Sequence, residues 1–159
     1  MNSLNLDNPG LAVDLGFFEL LTGSHLHYLG YPLVPAGRSP QDAARWLYEE
    51  SPQCLLAHNR AADPHFIYAN KAVQACFEYS WGEMISLPSR LSAEAPDRAE
   101  RQRLLDKVSR DGFANDYRGV RIAKSGRRFW IENVAVWQLV DKDGVLHGQA
   151  AVFQGWRDL

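Results

Sequence analysis

Apolar residues change from helical to extended spacing after Gly112, and this change constrains the fold of the chain more than any other feature. Three extended segments follow it, separated by the dipeptides Ser125-Gly126 and Asp143-Gly144. Dipeptides of this kind favour tight hairpin turns between antiparallel strands. The sequence therefore predicts a three-stranded antiparallel meander. Its strands are expected at residues 117–124, 129–140 and 145–156.

Short apolar runs and capping residues predict a strand pair and several helices ahead of the meander. The runs CLLAH at residues 54–58 and FIYA at residues 66–69 are bounded by turn-forming residues, which indicates two strands. Helix starts are indicated where a side chain can cap the first turn, at Ser39, Asn70, Ser80 and Asp97. This order predicts an α+β domain, in which a five-stranded antiparallel sheet has helices packed on one face.

The N-terminal residues form a separate part of this plan. Apolar residues recur there at the three- and four-residue steps of one helical face: Leu11, Leu15, Phe18 and Leu21. The segment GYPLVPAG at residues 30–37 contains two prolines and two glycines, which predicts a linker. We therefore divide the chain into a helical extension with its linker, residues 1–38, and a domain of residues 39–159.

Composition argues against two classes of partner. The chain of 159 residues has 17 Lys and Arg against 19 Asp and Glu, a formal net charge of −2. Binding to a phosphate backbone needs an excess of positive charge, so nucleic acid is not expected as a partner. No segment has the roughly 18 consecutive apolar residues of a membrane span, and no signal peptide follows Met1. We therefore expect a cytoplasmic protein that does not bind membranes, with Cys54 and Cys76 reduced in its core.

Three segments carry a resemblance to a known family. They are LPSRLSAE at residues 87–94, RAERQRLLD at residues 98–106 and DYRGVRI at residues 116–122. With the helices and hairpins around them, these segments resemble the MEKHLA domain, a PAS-related family, over about residues 43–153. The resemblance implies a PAS-like fold. It also implies a sensory or interaction module that binds a small molecule between sheet and helices, forms dimers, or does both.

Strand alternation and the resemblance together give a candidate ligand site. Aligning the Ser125-Gly126 hairpin with the pattern of ligand-binding PAS domains places seven residues on the inner face of the sheet. They are Arg121, Ile131, Asn133, Ala135, Ala150, Val152 and Gln154. Arg121, Asn133 and Gln154 lie on neighbouring strands and are polar, so they can converge on the carboxylate, phosphate or amide of a ligand. An anionic small molecule is therefore the favoured partner.

Two alternatives to this interpretation stay open. In the first, the polar group is structural: Arg121 pairs with an acid such as Glu78 or Glu94, and Asn133 and Gln154 bind loop backbone. In the second, the same pocket belongs to a small enzyme or a ligand carrier. A perturbed acid or histidine in the pocket would favour an enzyme, whereas a pocket filled by side chains would favour a pure interaction module.

No metal or catalytic residue is predicted, and no particular cofactor is indicated. The histidines match no zinc-binding spacing and are interpreted as solvated or turn residues: His25, His27, His58 and His65. The helix that opens at Asp97 has no histidine, which disfavours haem. Its basic residues alternate with acids, which predicts a solvated face: Arg98, Arg101, Arg103, Lys107 and Arg110.

The apolar stripe of the extension predicts a homodimer. An exposed stripe would promote aggregation, so it is expected to pack on the outer face of a sheet. That face would present Trp130, Val134 and Val136 if Ile131 points inward. The sheet is either the protein's own or that of a second copy, and the resemblance to PAS domains favours the second.

Overall fold

The computed structural model describes residues 5, 6 and 10–159, and gives the backbone alone for Ala95 and Pro96. The first residues of the expected N-terminal extension, 1–4 and 7–9, lie outside the described residues. Five α-helices follow in the described part of the chain: α1 (Leu15–Leu29), α2 (Pro40–Glu49), α3 (Lys71–Phe77), α4 (Trp81–Met84) and α5 (Ala95–Asp111). None of these described helices has the length and apolar content needed to cross a bilayer.

The helix starts follow the capping residues of the sequence. Ser39 and Asn70 accept hydrogen bonds from backbone N–H groups in the first turns of α2 and α3. Ser80 and Glu83 form a reciprocal capping box at α4. These three starts are confirmed. Helix α5 begins two residues before the expected Asp97, which lies in its first turn.

The strands form one antiparallel sheet, as predicted. They are β1 (Cys54–Asn59), β2 (Phe66–Ala69), β3 (Phe113–Ile122), β4 (Arg128–Val140), β5 (Leu146–Phe153) and β6 (Trp156–Asp158). The strand order is β2-β1-β5-β4-β3, and β6 pairs with the first residues of β4. The last predicted strand is thus interrupted at residues 154–155, which gives the sheet a short sixth strand.

A bulge in β4 determines which residues face which side of the sheet. Asn133 has a left-handed backbone, with φ of 54°, and the pairing of β3 with β4 shifts register beside it. The extra residue reverses the alternation, so Val134 and Val136 lie on the same face as Ile131. The expectation that these two valines point outward was therefore wrong. The outer face carries Ala135, Trp137 and Leu139 instead.

Each face of the sheet has its own hydrophobic core. On the inner face, Phe129, Ile131 and Phe153 pack against apolar residues of α3, α4 and α5. On the outer face, Leu55, Trp137 and residues beside them pack against α1 and α2. The fold thus has helices on both sides of the sheet. Cys54 and Cys76 are buried free thiols in the inner core, as predicted.

Helix α1 packs on the outer face of the protein's own sheet. The Trp137 indole N–H donates a hydrogen bond of 3.3 Å to the carbonyl oxygen of Leu21, and Ser24 exchanges two hydrogen bonds with Val140. The buried face of α1 includes Phe17 and Leu20, whereas the expected Phe18 is half-buried.

The predicted stripe is correct at Leu11 and Leu21, which are buried, but it treats two elements as one helix. Leu11 is buried in a separate 3₁₀ turn, and Asp14 caps the start of α1 by accepting from the Phe17 N–H. Helical steps counted from Leu11 therefore do not continue through the cap. Trp130, which was expected beneath the stripe, is half-buried. The Arg118 guanidinium carbon lies 3.7 Å from the centroid of its ring.

Candidate functional site

A cavity lies between the inner face of the sheet and helix α5. The volume open to the centre of a water molecule is about 60 Å³, enough for several waters or a small organic molecule. Its walls are mainly apolar and include Phe66, Phe77 and Leu104. Six polar side chains also line it: His58, Ser92, Arg101, Tyr117, Arg121 and Gln149. A largely apolar cavity with a few polar groups is typical of small-molecule sites.

Arg121 is buried at the cavity, as strand alternation predicts. Its guanidinium donates to the Tyr117 hydroxyl at 3.2 Å and to the Val120 carbonyl oxygen at 2.9 Å. The Tyr117 hydroxyl in turn donates to a Glu100 carboxylate oxygen at 2.8 Å. Burial raises the pKa of Tyr117, so its hydroxyl stays protonated and holds this chain together. Arg121 therefore reaches a carboxylate only through a tyrosine.

The two acids named as partners of Arg121 in the structural alternative do not pair with it; its link to an acid of the helices is the indirect one to Glu100. Glu78 pairs with Arg127 at 3.1 Å, and Glu94 pairs with Arg128 at 3.5 Å. Both acids that were candidates for pairing with Arg121 are thus occupied at the surface.

Arg101 projects from α5 into the same cavity. It is 7% exposed, and its guanidinium donates to the Ser89 hydroxyl oxygen at 2.5 Å. Burial, with a smaller contribution from the charge of Arg121, lowers the pKa of Arg101 to about 10. The side chain remains a cation at neutral pH. The expectation of a fully solvated basic face on this helix was wrong at Arg101.

Two buried cations therefore share one cavity without direct carboxylate partners. None of the ion pairs found among the described residues involves Arg101 or Arg121. A buried charge without a partner costs several kcal/mol, because water solvates it far better than an apolar wall does. The cavity is thus bordered by two positive charges, one of which is linked to the Glu100 carboxylate through Tyr117.

Two hydrogen-bond acceptors complete the polar set. His58 Nδ1 lies 2.8 Å from the Asn59 carbonyl oxygen, so it must carry the proton, and Nε2 is left as an acceptor. Gln149 Nε2 faces the Leu105 carbonyl oxygen at 3.4 Å and the Ser109 hydroxyl at 3.3 Å. His58 Nε2 and Gln149 Oε1 are both buried and have no hydrogen-bond partner in the described structure.

Burial lowers the pKa of His58 to about 4, and the Arg101 charge acts in the same direction. The imidazole is therefore neutral at physiological pH. A group with this pKa is a weak base near pH 7, where general-base catalysis favours a pKa close to the operating pH. His58 thus supplies the cavity with a hydrogen-bond acceptor.

The structure brings together only part of the predicted ligand site. Arg121 and Ile131 line the cavity, and Ala150 borders it although its side chain packs in the outer core. Ala135 and Val152 lie in the outer core, while Asn133 and Gln154 are exposed. The inner-face placement of these four was wrong. The bulge at Asn133 breaks strict alternation in β4, and Gln154 lies beyond the end of β5. Strand β5 itself has the opposite phase from the one expected, so Ala151 and Phe153 face inward where Ala150 and Val152 were predicted.

The sequence did contain signals for some of the polar residues that were missed. Arg101 precedes the inward Leu104 by three residues and Val108 by seven, so helical spacing places it on the buried face of α5. His58 and Gln149 are direct partners across β1 and β5. That pairing depends on a contact between distant parts of the chain, which local spacing does not reveal.

The described residues contain no group of three or more His, Cys, Asp or Glu side chains placed to hold an ion. The histidines do not share one environment. His25 is fully buried against Trp137, contrary to the expectation of a solvated or turn residue, whereas His27 is exposed.

The sequence as a whole matches one family. The model of the MEKHLA domain matches residues 15–158, a range that begins with helix α1. The chain belongs to the MEKHLA domain family. No curated protein sequence matches this MEKHLA domain.

Solved structures with a similar fold are PAS and light-oxygen-voltage domains. The PAS domain of a protein from Colwellia psychrerythraea has a TM-score of 0.59 and 15% identity, over 70% of this MEKHLA domain and 90% of that chain. An RNA-binding light-oxygen-voltage receptor has a TM-score of 0.63 and 18% identity, over 79% of this chain and 35% of the receptor. The light-state dimer of the fungal blue-light photoreceptor Vivid has a TM-score of 0.56 and 16% identity, over 84% of this chain and 90% of the Vivid chain. At these identities the similarity establishes the PAS-like fold of this MEKHLA domain.

Proposed function

We propose that this MEKHLA domain is a PAS-like sensory or interaction module that binds a small anionic molecule in the cavity between sheet and helices. The observation that carries the proposal is the pair of buried cations, Arg101 and Arg121, which face an open cavity and contact no carboxylate directly. Buried charged groups that face a cleft are concentrated at functional sites, which supports a binding role for this pair.

Guanidinium chemistry supports a carboxylate or a phosphate as the anionic group. The planar fork of an arginine donates two parallel hydrogen bonds to either group. Ser89 and Tyr117 accept from Arg101 and Arg121 and fix the direction of each side chain. An anion bound between the two arginines replaces the repulsion between their charges by two charge-assisted hydrogen bonds. The apolar walls of the cavity then contact the rest of the ligand.

The proposal is tested by anion binding to the purified chain and its arginine variants. The probes are linear carboxylates from acetate to octanoate, and inorganic phosphate, titrated by calorimetry. We expect at least one probe to bind, and Arg101→Met and Arg121→Met each to weaken it by about tenfold or more, because each removes a charge-assisted contact. Arg103→Met is the matched control, since Arg103 is exposed on the same helix and its loss leaves the cavity unchanged.

Two outcomes would contradict the proposed function. The first is the absence of binding by every carboxylate and by phosphate. The second is binding that Arg103→Met weakens as much as the two cavity variants do, which would reveal a surface charge effect. Circular dichroism of each variant separates loss of binding from loss of fold.

The homodimer expected from the N-terminal stripe is the second part of the proposal. Helix α1 covers the outer face of its own sheet, so a dimer through that face requires the two copies to exchange their first helices. An exchange buries the same surfaces and needs only that the segment after Leu29 extends. Light scattering of the full chain tests this: the mass of two chains supports the exchange, and the mass of one chain rejects it.

The enzyme and carrier alternatives use the same cavity. A carrier makes the same binding prediction and differs only in the fate of the ligand. General acid–base catalysis works best with a group whose pKa lies near the operating pH, and the lowered pKa of His58, about 4, argues against the histidine as a general base. The sensory or interaction module is therefore the function that the geometry supports best.

A further inference from the structure

His58 and Gln149 place unsatisfied hydrogen-bond acceptors at the cavity. Buried polar atoms nearly always have a partner, because an unpartnered acceptor loses its hydrogen bonds to water and gains none. His58 Nε2 and Gln149 Oε1 are two such atoms, and both side chains line the cavity. Gln149 is 8% exposed.

The orientation of each side chain is fixed by its other contacts. If the Gln149 amide were turned over, its oxygen would face the Leu105 carbonyl oxygen, and two acceptors would repel each other. If His58 carried its proton on Nε2, Nδ1 would face the Asn59 carbonyl oxygen without a hydrogen between them. The free atoms are therefore acceptors in both residues.

The two side chains also start from neighbouring positions of the sheet. His58 on β1 is the direct partner of Gln149 on β5, and directly opposed residues of antiparallel strands have Cβ atoms about 5 Å apart on one face. One donor group positioned between the two side chains can therefore approach both acceptors.

We infer that the ligand of this cavity carries an uncharged hydrogen-bond donor, a hydroxyl or an N–H group, which His58 Nε2 and Gln149 Oε1 recognise in addition to its anionic group. This inference rests on the proposed function for the anionic group, and on the two acceptors for the donor. The positive charge of Arg101 acts on His58, so a second cation beside it is unfavourable. An ammonium group is thus a poor substitute for a hydroxyl, and the ligand class is a small hydroxylated or N–H-bearing acid.

Matched probes test the donor separately from the anion. Each linear carboxylate of two to eight carbons is compared by calorimetry with hydroxy acids of the same length, in which the hydroxyl position varies, and with the matching amino acids. We expect the best hydroxy acid to bind roughly tenfold more tightly than the plain acid, and the amino acid to show no such gain.

Two variants locate the effect. His58→Phe and Gln149→Leu should each remove most of the preference for the hydroxy acid over the plain acid, a ratio from which any change of cavity volume that affects both ligands cancels. Circular dichroism of each variant shows that the fold is intact. The matched controls are His27→Phe and Gln102→Leu, since both residues are exposed and lie outside the cavity lining. These controls should keep the preference.

The outcomes separate this inference from the proposed function. If plain acids bind and no hydroxy acid binds more tightly than the plain acid of the same length, the inference is overturned and the anion site is retained. A water molecule then satisfies both acceptors. If no acid binds, neutral linear alcohols are titrated next. Alcohol binding that is weakened by His58→Phe and Gln149→Leu would support the donor site and reject the anion site. If neither acids nor alcohols bind, both are rejected.

Discussion

Gly148 marks a close approach of two strands beside the cavity. A Cβ atom added at this residue would lie 2.1 Å from the His58 carbonyl oxygen on β1, and the backbone φ of 157° is unusual for a residue with a side chain. The clash is with backbone, so it is relieved only by moving β1 away from β5. We expect Gly148→Ala to lower the free energy of unfolding by about 2–3 kcal/mol, measured by urea denaturation.

Gly23 is the matched control for that substitution. It lies in the exposed face of α1 with no atom within 4 Å of an added Cβ. Gly23→Ala should raise the free energy of unfolding by up to about 1 kcal/mol, because alanine favours the helix over the unfolded chain. Equal effects of the two substitutions would contradict the strand contact.

The lowered pKa of His58 predicts a loss of stability in mild acid. The unfolded chain takes up a proton near the ordinary histidine pKa of 6.5, whereas the folded state resists it until about pH 4. Between these values the unfolded state binds more protons, so stability falls as the pH falls. The contribution of His58 is about 3 kcal/mol over that range.

His58→Phe should therefore make the free energy of unfolding less dependent on pH between 6.5 and 4. Urea denaturation at several pH values measures the difference from the unmodified protein, in which carboxylates titrate as well. His27→Phe, at an exposed residue of α1, should leave the pH dependence as it was. An unchanged slope in His58→Phe would show that the imidazole is solvated.

Helix α1 is part of the hydrophobic core although the sequence places it outside the domain. Phe17 is 1% exposed and stacks on Tyr68 of β2 at 5.3 Å between ring centroids. Phe17→Ala should lower the free energy of unfolding by about 3–4 kcal/mol. Leu26→Ala, at a half-exposed position of the same helix, should change it by less than about 0.5 kcal/mol. Denaturant titrations of the two variants provide the comparison.

The bulge of β4 depends on the left-handed backbone of Asn133. A β-branched residue is strained at a φ of 54°, while glycine is not. Asn133→Val should therefore lower the free energy of unfolding by about 1–2 kcal/mol, and Asn133→Gly should have little effect, both measured in urea. A valine tolerated as well as glycine would mean that the strand can realign without the bulge.

At the scale of the whole molecule, the sequence predicts the fold better than the site. Caps and hairpin dipeptides act within a few residues, so Ser39, Ser80 and the Asp143-Gly144 turn indicate their elements without knowledge of the rest of the chain. The side of the sheet on which a side chain lies depends on the strand register. The one-residue bulge at Asn133 reversed the sides for the residues of β4 that follow it. Arg101 shares the helical spacing of its buried neighbours, and only its charge argued for the surface.

The position of α1 predicts what happens when the N-terminal residues are removed. Deleting residues 1–36 uncovers Trp137 and Leu139 of β4, both of them buried on the outer face of the sheet where α1 packs. A large exposed apolar face promotes self-association, so the shortened chain should be insoluble or should form oligomers in light scattering. A soluble monomer of the shortened chain would show that α1 is dispensable.

Consecutive residues of β4 face opposite compartments of this molecule. Val136 lines the cavity, and the Trp137 ring lies beneath α1 with its indole N–H bound to the Leu21 carbonyl oxygen. The cavity lining and the contact with α1 are therefore separated by a single peptide unit. Any displacement of the β4 backbone at Val136 would therefore also displace Trp137 and the surface on which α1 packs, so a change inside the cavity would reach the opposite side of the sheet without crossing another element.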